Sequence, residues 1–263
     1  MKLEGVFKKM SSQNKKPVEY FLLLGDDLLC LNQLIGRKIK IKHSFNQCLH
    51  CQKDLPIYRM GYCKTCFFLV PQTNESILRP ELSTAHMGIE QRDLAFEKEL
   101  ELQPHIVYLA VSSGLKVGVT RKSQTPTRWI DQGASFALPI LECENRYQAG
   151  ITEVALAQHV ADKTNYRKML TGDIPQLDLV LERDKIREFI PKETAHFFLE
   201  KEEIQYFVYP LPNLDKITSL SLDKNPEIEK TLLGIKGQYL VFDDFTALNV
   251  RSFEGYGVEV EVG

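Results

Sequence analysis

Three features of the sequence predict an α+β protein. Alternating strand patterns occur at both ends of the chain, two Cys-x2-Cys pairs lie between residues 48 and 66, and a strand–turn–strand–helix pattern fills residues 105–170. Of the 263 residues, 43% are hydrophobic and 26% charged, a composition that supports two or three packed units. Four segments follow from this: strands plus a cysteine ribbon over 1–70, a linker and exposed helix over 71–104, an α/β core over 105–170, and a helix plus β-rich region over 171–263.

In chain order, Leu3 to Met10, Val18 to Leu24 and Lys38 to His43 read as strands, the last alternating strictly. Ser11 to Pro17 is a polar connection. Gly88 to Gln103 combines helix formers with many charges, the pattern of a mostly exposed helix stopped by Pro104. His105 to Val111 and Leu115 to Val119 flank the turn Ser112-Ser113-Gly114 and form a hairpin. Thr125-Pro126 is a helix start, with Thr as cap and Pro at the first helical position. That helix carries Arg128 and Trp129 and ends near Gly133. Leu138 to Cys143 is a third strand, Gly150 to Asp162 a second helix, and Leu177 to Ile190 a third helix ended by Pro191. Four further strand patterns, at 205–209, 237–242, 248–251 and 258–262, predict a small C-terminal β-barrel or sandwich, whose strands are candidates to pair with the N-terminal ones.

Residues 1–70 carry 12 Lys and Arg against 5 Asp and Glu, and the remainder carries 21 against 30. A basic block beside an acidic remainder points to a polyanion-facing end, with a chance clustering of surface charge as the alternative. The overall charge of −2 excludes a wholly basic coat protein. No apolar run reaches the roughly 18 residues of a membrane span, and Met1 to Gly5 lacks a secretory pattern. The expectation is a cytoplasmic protein without membrane partners, whose six cysteines bind metal or stay free.

Cys48-x2-Cys51 and Cys63-x2-Cys66 form two knuckles. Four thiolates at about 2.3 Å complete a tetrahedral zinc shell and leave no open position for catalysis, so the zinc is structural. The loop is too small for a core, so metal binding would supply its folding energy. A redox dithiol is the alternative. Gly61 suits the tight turn before the second pair. His43 and His50 are read as surface residues or as neighbours that support the cysteine ligands, and Cys30 and Cys143 as buried apolar cysteines. Tyr58, Tyr62, Phe67 and Phe68 interleave with Lys53, Arg59 and Lys64, an arrangement that stacks bases and binds phosphates or, equally, forms the mini-core of the cysteine loop.

The second constellation comprises Tyr108 in a strand, Lys116 on the next, Arg128 early in a helix, Glu153 in a later helix and Asn165 after it. At helical spacing Glu153 neighbours Ala149, Gly150, Leu156, Ala157 and Val160, all small or apolar. A carboxylate there is costly unless it is paired or metal-bound. The bland alternatives are a rim glutamate that reaches water and an Arg128–Asp131 pair on a solvated face.

Ile106-Val107-Tyr108 followed by Lys116-Val117-Gly118 resembles the two half-motifs of the GIY-YIG nuclease superfamily. The chain also resembles an uncharacterised prokaryotic domain-of-unknown-function family that joins a Cys-x2-Cys zinc ribbon to such a core. That likeness lies in Gly61-Tyr62-Cys63, Val107 to Ala110, Lys116 to Arg121, Arg128 to Ala134, Asp162 to Asn165 and Gly234 to Leu240. It departs from the superfamily in having Ile106 where Gly is usual and Lys116 where the second Tyr stands. No cysteine lies between Gln72 and Gln103, where some relatives carry more. The resemblance implies a central GIY-YIG-like three-stranded sheet with helices and a metal-dependent nuclease acting on DNA or RNA. In that scheme Glu153 holds Mg²⁺ or Mn²⁺, Tyr108 orients or deprotonates the attacking water, and Lys116 and Arg128 lower the phenol's pKa and stabilise the phosphorane. Asn165 orients Glu153 or a metal-bound water. Two other functions are consistent with the residues: a non-catalytic zinc-containing module that binds nucleic acid, and an adaptor that binds another protein.

Overall fold

The computed structural model describes residues 1–160 and 165–263. The helix expected over Gly150 to Asp162 runs from Arg146 to Ala157, while the stretch Asp162-Lys163-Thr164 of the resemblance lies outside the described residues. The first strands are β1 (Lys2–Val6), β2 (Ser11–Gln13), β3 (Glu19–Leu24), β4 (Asp27–Cys30) and β5 (Lys38–Asn46), then the short pair β6 (Ile57–Arg59) and β7 (Tyr62–Cys63). Helices α1 (Lys64–Leu69), α2 (Glu75–Leu78) and α3 (Leu94–Glu101) follow, then β8 (His105–Val111), β9 (Leu115–Arg121), α4 (Thr127–Asp131), β10 (Phe136–Cys143) and α5 (Arg146–Ala157). The rest comprises α6 (Tyr166–Thr171), α7 (Leu179–Ile186), β11 (Gln205–Tyr206), β12 (Thr218–Leu220), β13 (Glu227–Lys236), β14 (Tyr239–Phe242), β15 (Thr246–Asn249) and β16 (Tyr256–Val262).

These elements form two compact units, neither continuous in sequence. The first contains Met1–Leu69, Ile130–Gly133 and Phe207–Gly263, and the second Val70–Trp129 and Ala134–Tyr206. In the first unit the order β1-β16-β5-β13-β14-β15-β12 makes one seven-stranded sheet. The expected small C-terminal barrel or sandwich does not close, while the pairing of its strands with the N-terminal ones is observed. Its strands join β1 and β5 instead, and the sheet stays open, with β1 and β12 at its ends. The reason lies in the side-chain alternation. Ile39 and Ile41 on β5 and Val258, Val260 and Val262 on β16 are buried, so both strands need the same covered face. Strand β13, ten residues long, has no counterpart among the expected strands. Its first half, Glu-Ile-Glu-Lys-Thr, has one buried apolar residue, and pairing with β5 and β14 supplies what local pattern lacks.

Buried hydrogen bonds join distant segments of this unit. The Gln238 side chain accepts from Met10 N at 2.8 Å and donates to Met10 O and Asp131 Oδ1, each at 3.0 Å. The Tyr20 hydroxyl accepts from Gly237 N at 3.0 Å, and burial holds its pKa well above the ordinary value. Each of these groups would cost about 1–3 kcal/mol if left unsatisfied, so the network fixes how the chain ends meet.

In the second unit the sheet order is β11-β10-β8-β9, all antiparallel, with β8 and β9 a hairpin in unbroken register. All seven residues of β8 are buried. Val107, Leu109, Val111 and Val117 pack with Leu138, and Ala149, Leu156 and Val160 of the α5 segment join the same cluster. The helix expected to be mostly exposed, α3, is shorter and carries two buried carboxylates. Glu97 accepts from the backbone N–H groups of Gln91, Arg92 and Asp93 at 3.0, 2.7 and 3.2 Å. Glu101 accepts from Ser76 and Ser83 hydroxyls at 2.7 and 2.5 Å. A charge-rich pattern reads as surface, but here neutral donors from preceding turns hold the charges inside. Thr125 also departs from its expected capping role, since its hydroxyl donates backward to Lys122 O at 2.7 Å.

Candidate metal centre and basic site

The metal-ligating set forms at the end of β5. Gln52, with φ 58°, donates its N–H to Cys48 O at 2.9 Å and closes the first loop. Met60 and Gly61, at φ 53° and 78°, form the two-residue turn between β6 and β7, the conformation such hairpins favour. Cys63 ends β7 and Cys66 stands in the first turn of α1. The second pair is therefore carried by a strand end and a helix start, so the unit is a loop, hairpin and helix.

The four sulfur atoms lie within 4.8 Å of one another, and Cys48, Cys63 and Cys66 are buried. A tetrahedron with metal–sulfur bonds near 2.3 Å has sulfurs about 3.8 Å apart, so the set can close on an ion such as zinc with small movements. Cys63 N donates to Cys48 Sγ at 3.3 Å. Burial raises the Cys48 thiol, but backbone N–H donors from Cys63, Cys51 and His50 outweigh it and bring the pKa down to about 6. The Cys66 thiol is raised, by burial first and then by bonds to the other cysteines. Unequal thiols sharing protons are what a cation equalises when it displaces them. His43 is not a ligand: its Nε2 lies 2.9 Å from Phe45 O.

Around this corner Tyr58, Phe67 and Phe68 form a ring cluster with centroids 5.2–5.8 Å apart, and Arg59 lies 5.5 Å from the Tyr58 ring. Tyr58 is 43% and Phe68 58% exposed, so the cluster faces solvent and is not a closed mini-core. Lys53, Arg59 and Lys64 are exposed, and none forms an ion pair among the described residues. The lysines of β5 differ. Lys38 meets Glu229 at 2.7 Å and Lys40 meets Glu227 at 2.9 Å, while Lys2 meets Glu259 at 2.8 Å. Lys2, Lys38 and Lys40 of the basic N-terminal block thus neutralise acidic C-terminal strands, and that part of the block does not stand free to face a polyanion.

In the second unit Tyr108 pairs with Gly118 and Lys116 with Ala110, so Tyr108 and Lys116 share one face of the hairpin. A Cβ on Gly118 would lie 2.7 Å from the Tyr108 hydroxyl, so the ring lies across that glycine, over the edge strand β9. Trp129 packs on it edge-to-face at 5.6 Å. Tyr108 is 1% exposed and Lys116 6%. The opposite face carries Val107, Leu109 and Val117, and α5 with Glu153 packs there. Glu153 is half-buried. The structure therefore groups Tyr108, Lys116 and Trp129, and places the helix of Glu153 on the other side of the sheet.

A basic group surrounds the start of α5. Arg146 donates to Ser76 O at 2.7 Å and Ile77 O at 2.8 Å. Burial lowers its pKa; the charges of Glu101 and Glu153 act against this, and those of Arg121 and Arg128 with it. Arg128 and Glu153 thus lie within electrostatic reach of the same guanidinium. Arg121, half-buried on β9, is lowered by burial alone. Neither Arg121 nor Arg128 has a carboxylate partner among the described residues, and Asp131 is bound by Lys9 at 3.1 Å and by Gln238. Arg121 and Arg146 carry no role in the sequence reading. The available signal was Arg146 directly after Asn145, which accepts from Gln148 N at 3.0 Å and caps α5. Asn165 likewise caps α6, accepting from Arg167 N and Lys168 N at 3.0 and 3.3 Å.

A family described as a protein of unknown function (DUF2797) matches residues 36–258. The chain belongs to this family. The DUF2797 match spans the cysteine set, β8 and β9, and most of the seven-stranded sheet. Comparison with curated proteins and with solved structures gave no match. No helix among the described residues is long and apolar enough to cross a membrane.

Proposed function

We propose that the protein binds a nucleic-acid backbone and that its second unit hydrolyses a phosphodiester, as its resemblance to GIY-YIG nucleases implies. The observation that carries this reading is the pair Arg121 and Arg128. Both are half-buried cations without a carboxylate partner among the described residues, and the guanidinium of Arg121, lowered by burial, is stabilised by an anion. A phosphate with two non-bridging oxygens supplies one. Arg128 would stabilise charge on the pentacovalent phosphorane. Tyr108 and Lys116 share the face of the hairpin turned away from α5, so Arg121, Arg128 and Glu153 carry the reading on the α5 side, and only the resemblance assigns Tyr108 and Lys116 the orienting of the attacking water. Glu153 offers one carboxylate, and the cysteines are the only group of three or more metal-ligating residues found among the described residues. One carboxylate plus water suits Mg²⁺ or Mn²⁺, which would supply charge neutralisation at the phosphate when bound. Asn165 is the remaining candidate of the scheme, through the amide nitrogen that capping leaves unused. In the first unit a structural zinc would hold Lys53, Arg59 and Lys64 and the exposed rings of Tyr58 and Phe68 against backbone and bases.

A non-catalytic nucleic-acid-binding module is the second reading. The 1% exposure of Tyr108 favours it, because a phenol so enclosed has little water to activate. Incubation with plasmid and structured RNA, with and without Mg²⁺ or Mn²⁺, separates the two. Metal-dependent cleavage lost in Glu153→Ala supports hydrolysis. Equal binding by both proteins with no cleavage selects the module, and no binding at low salt removes both.

A further inference from the structure

A cleft of about 550 Å³ opens on the first unit between β1, the β3–β4 turn and the first cysteine loop. That volume lies within the range of small-molecule sites, about 300–1,000 Å³. The cleft has no part in the phosphodiester reading, and none of its residues is a site candidate from sequence except Cys48.

One wall is Phe45. A Cβ on Gly257 would lie 2.4–2.5 Å from three atoms of its ring, a near-equal spacing that only a face-on ring gives. One face of Phe45 therefore rests on the glycine. The ring is half-buried, lines the cleft and has no ring partner among the described residues, so its other face is available for stacking. Two amides stand beside it. Gln47 donates Nε2 to Gln52 O at 3.3 Å and keeps Oε1 as an acceptor. Gln52 is exposed, and its own amide has no hydrogen-bond partner among the described residues. Val6, Leu23 and Leu49 contribute hydrocarbon. Lys8 and Glu4 bring one charge of each sign, both exposed and neither ion-paired among the described residues.

A flat stacking face, two amides that both donate and accept, one carboxylate and one ammonium match a specific chemistry. We infer that this cleft binds a nucleotide. The base stacks on Phe45, its polar edge meets Gln47 and Gln52, an exocyclic amine donates to Glu4, and Lys8 takes the phosphate. Glu4 accepts from the amino group of cytosine, and uracil offers it a carbonyl oxygen instead, so cytidine nucleotides bind better than uridine ones. The nucleotide comes either from solution or from a single strand.

The test uses the full zinc-loaded chain, titrated with CMP and UMP by calorimetry and with fluorescein-labelled dC8 by anisotropy. CMP is expected to bind at least fivefold tighter than UMP. Phe45→Leu should weaken CMP and dC8 about tenfold, the order of one stacking contact, and Phe45→Tyr should stay near wild type. Tighter binding of dC8 than CMP assigns the cleft to single strands, and equal binding assigns it to free nucleotides. Absence of binding by both ligands, or unchanged binding in Phe45→Leu, overturns the proposal. If Phe45→Leu does not fold, Gln52→Ala is read instead, and unchanged CMP binding there overturns it equally. Arg128→Ala separates this inference from the phosphodiester reading. Binding lost there and kept in Phe45→Leu belongs to the second unit and overturns the cleft alone.

Discussion

The cysteine corner and the β8–β9 hairpin are held together by opposite means. The corner has three buried sulfurs, a short hairpin, a six-residue helix and exposed rings at its surface. The hairpin has a fully buried strand, Val107, Leu109 and Val117 on one face, and Tyr108 under Trp129 on the other. Few apolar contacts are available to the first, so an ion held by its four sulfurs would supply much of its order. The second is ordered by burial, so its polar residues must fit a packed interior. The same residue type therefore means different things in the two places: Tyr58 is a surface ring and Tyr108 a core ring.

Metal removal is the strongest way to test this contrast. Binding of zinc to such cysteine sets contributes on the order of 10 kcal/mol, with little core to take its place. Chelation, or Cys63→Ser, should remove hydrogen-exchange protection from residues 48–66 and leave residues 105–121 protected. Persistent protection of the corner without metal would show that packing holds it after all. Next comes Trp129→Ala, expected to destabilise the second unit by about 3–5 kcal/mol in urea while metal content stays unchanged. A loss under about 1 kcal/mol would mean that the Tyr108–Trp129 contact is not part of the core.

His105 sharpens the comparison through pH. It is fully buried, with Nδ1 2.7 Å from Gln103 O and no partner at Nε2 among the described residues. Burial first, then the charges of Arg146 and Arg121, lower its pKa from 6.5 to about 4. The folded state therefore holds it neutral. Its contribution is fully present above pH 6.5 and falls away as the pH drops toward 4. By pH 5 the loss should reach about 2 kcal/mol, and His105→Leu should flatten that slope in urea titrations at pH 7 and pH 5. A wild-type slope in the variant would place the titration elsewhere. The smallest effect belongs to Lys38 and Glu229, joined at 2.7 Å but both more than a third exposed. Replacing either with Ala should leave the denaturation midpoint unchanged within error.

Much of the architecture is legible in the chain itself. The cysteine set can be read because its ligands lie within a short stretch and their chemistry admits few uses. The β8–β9 hairpin can be read because two apolar runs flank a Ser-Ser-Gly turn. Helix bounds are less legible, since Asn145 and Asn165 cap helices through bonds that depend on backbone already formed. Glu97 and Glu101 look like surface residues because their charge is visible in the pattern, whereas the donors to Glu97 form only when the preceding turn folds back and those to Glu101, Ser76 and Ser83, come from a distant segment.

Residue types and their periodicity determined the α+β class, the two cysteine pairs and the hairpin of residues 105–111 and 115–119. Tertiary structure alone decided that the two ends of the chain share one sheet, that the lysines of β5 face glutamates nearly two hundred residues away, and that Glu153 and Tyr108 approach from opposite faces. It also assembled the cleft beside Phe45 from three separate segments. The physical reason is range. Side-chain alternation and thiol chemistry act over a few neighbouring residues, whereas ion pairing, burial and cavity shape belong to surfaces that exist only once the chain has returned upon itself.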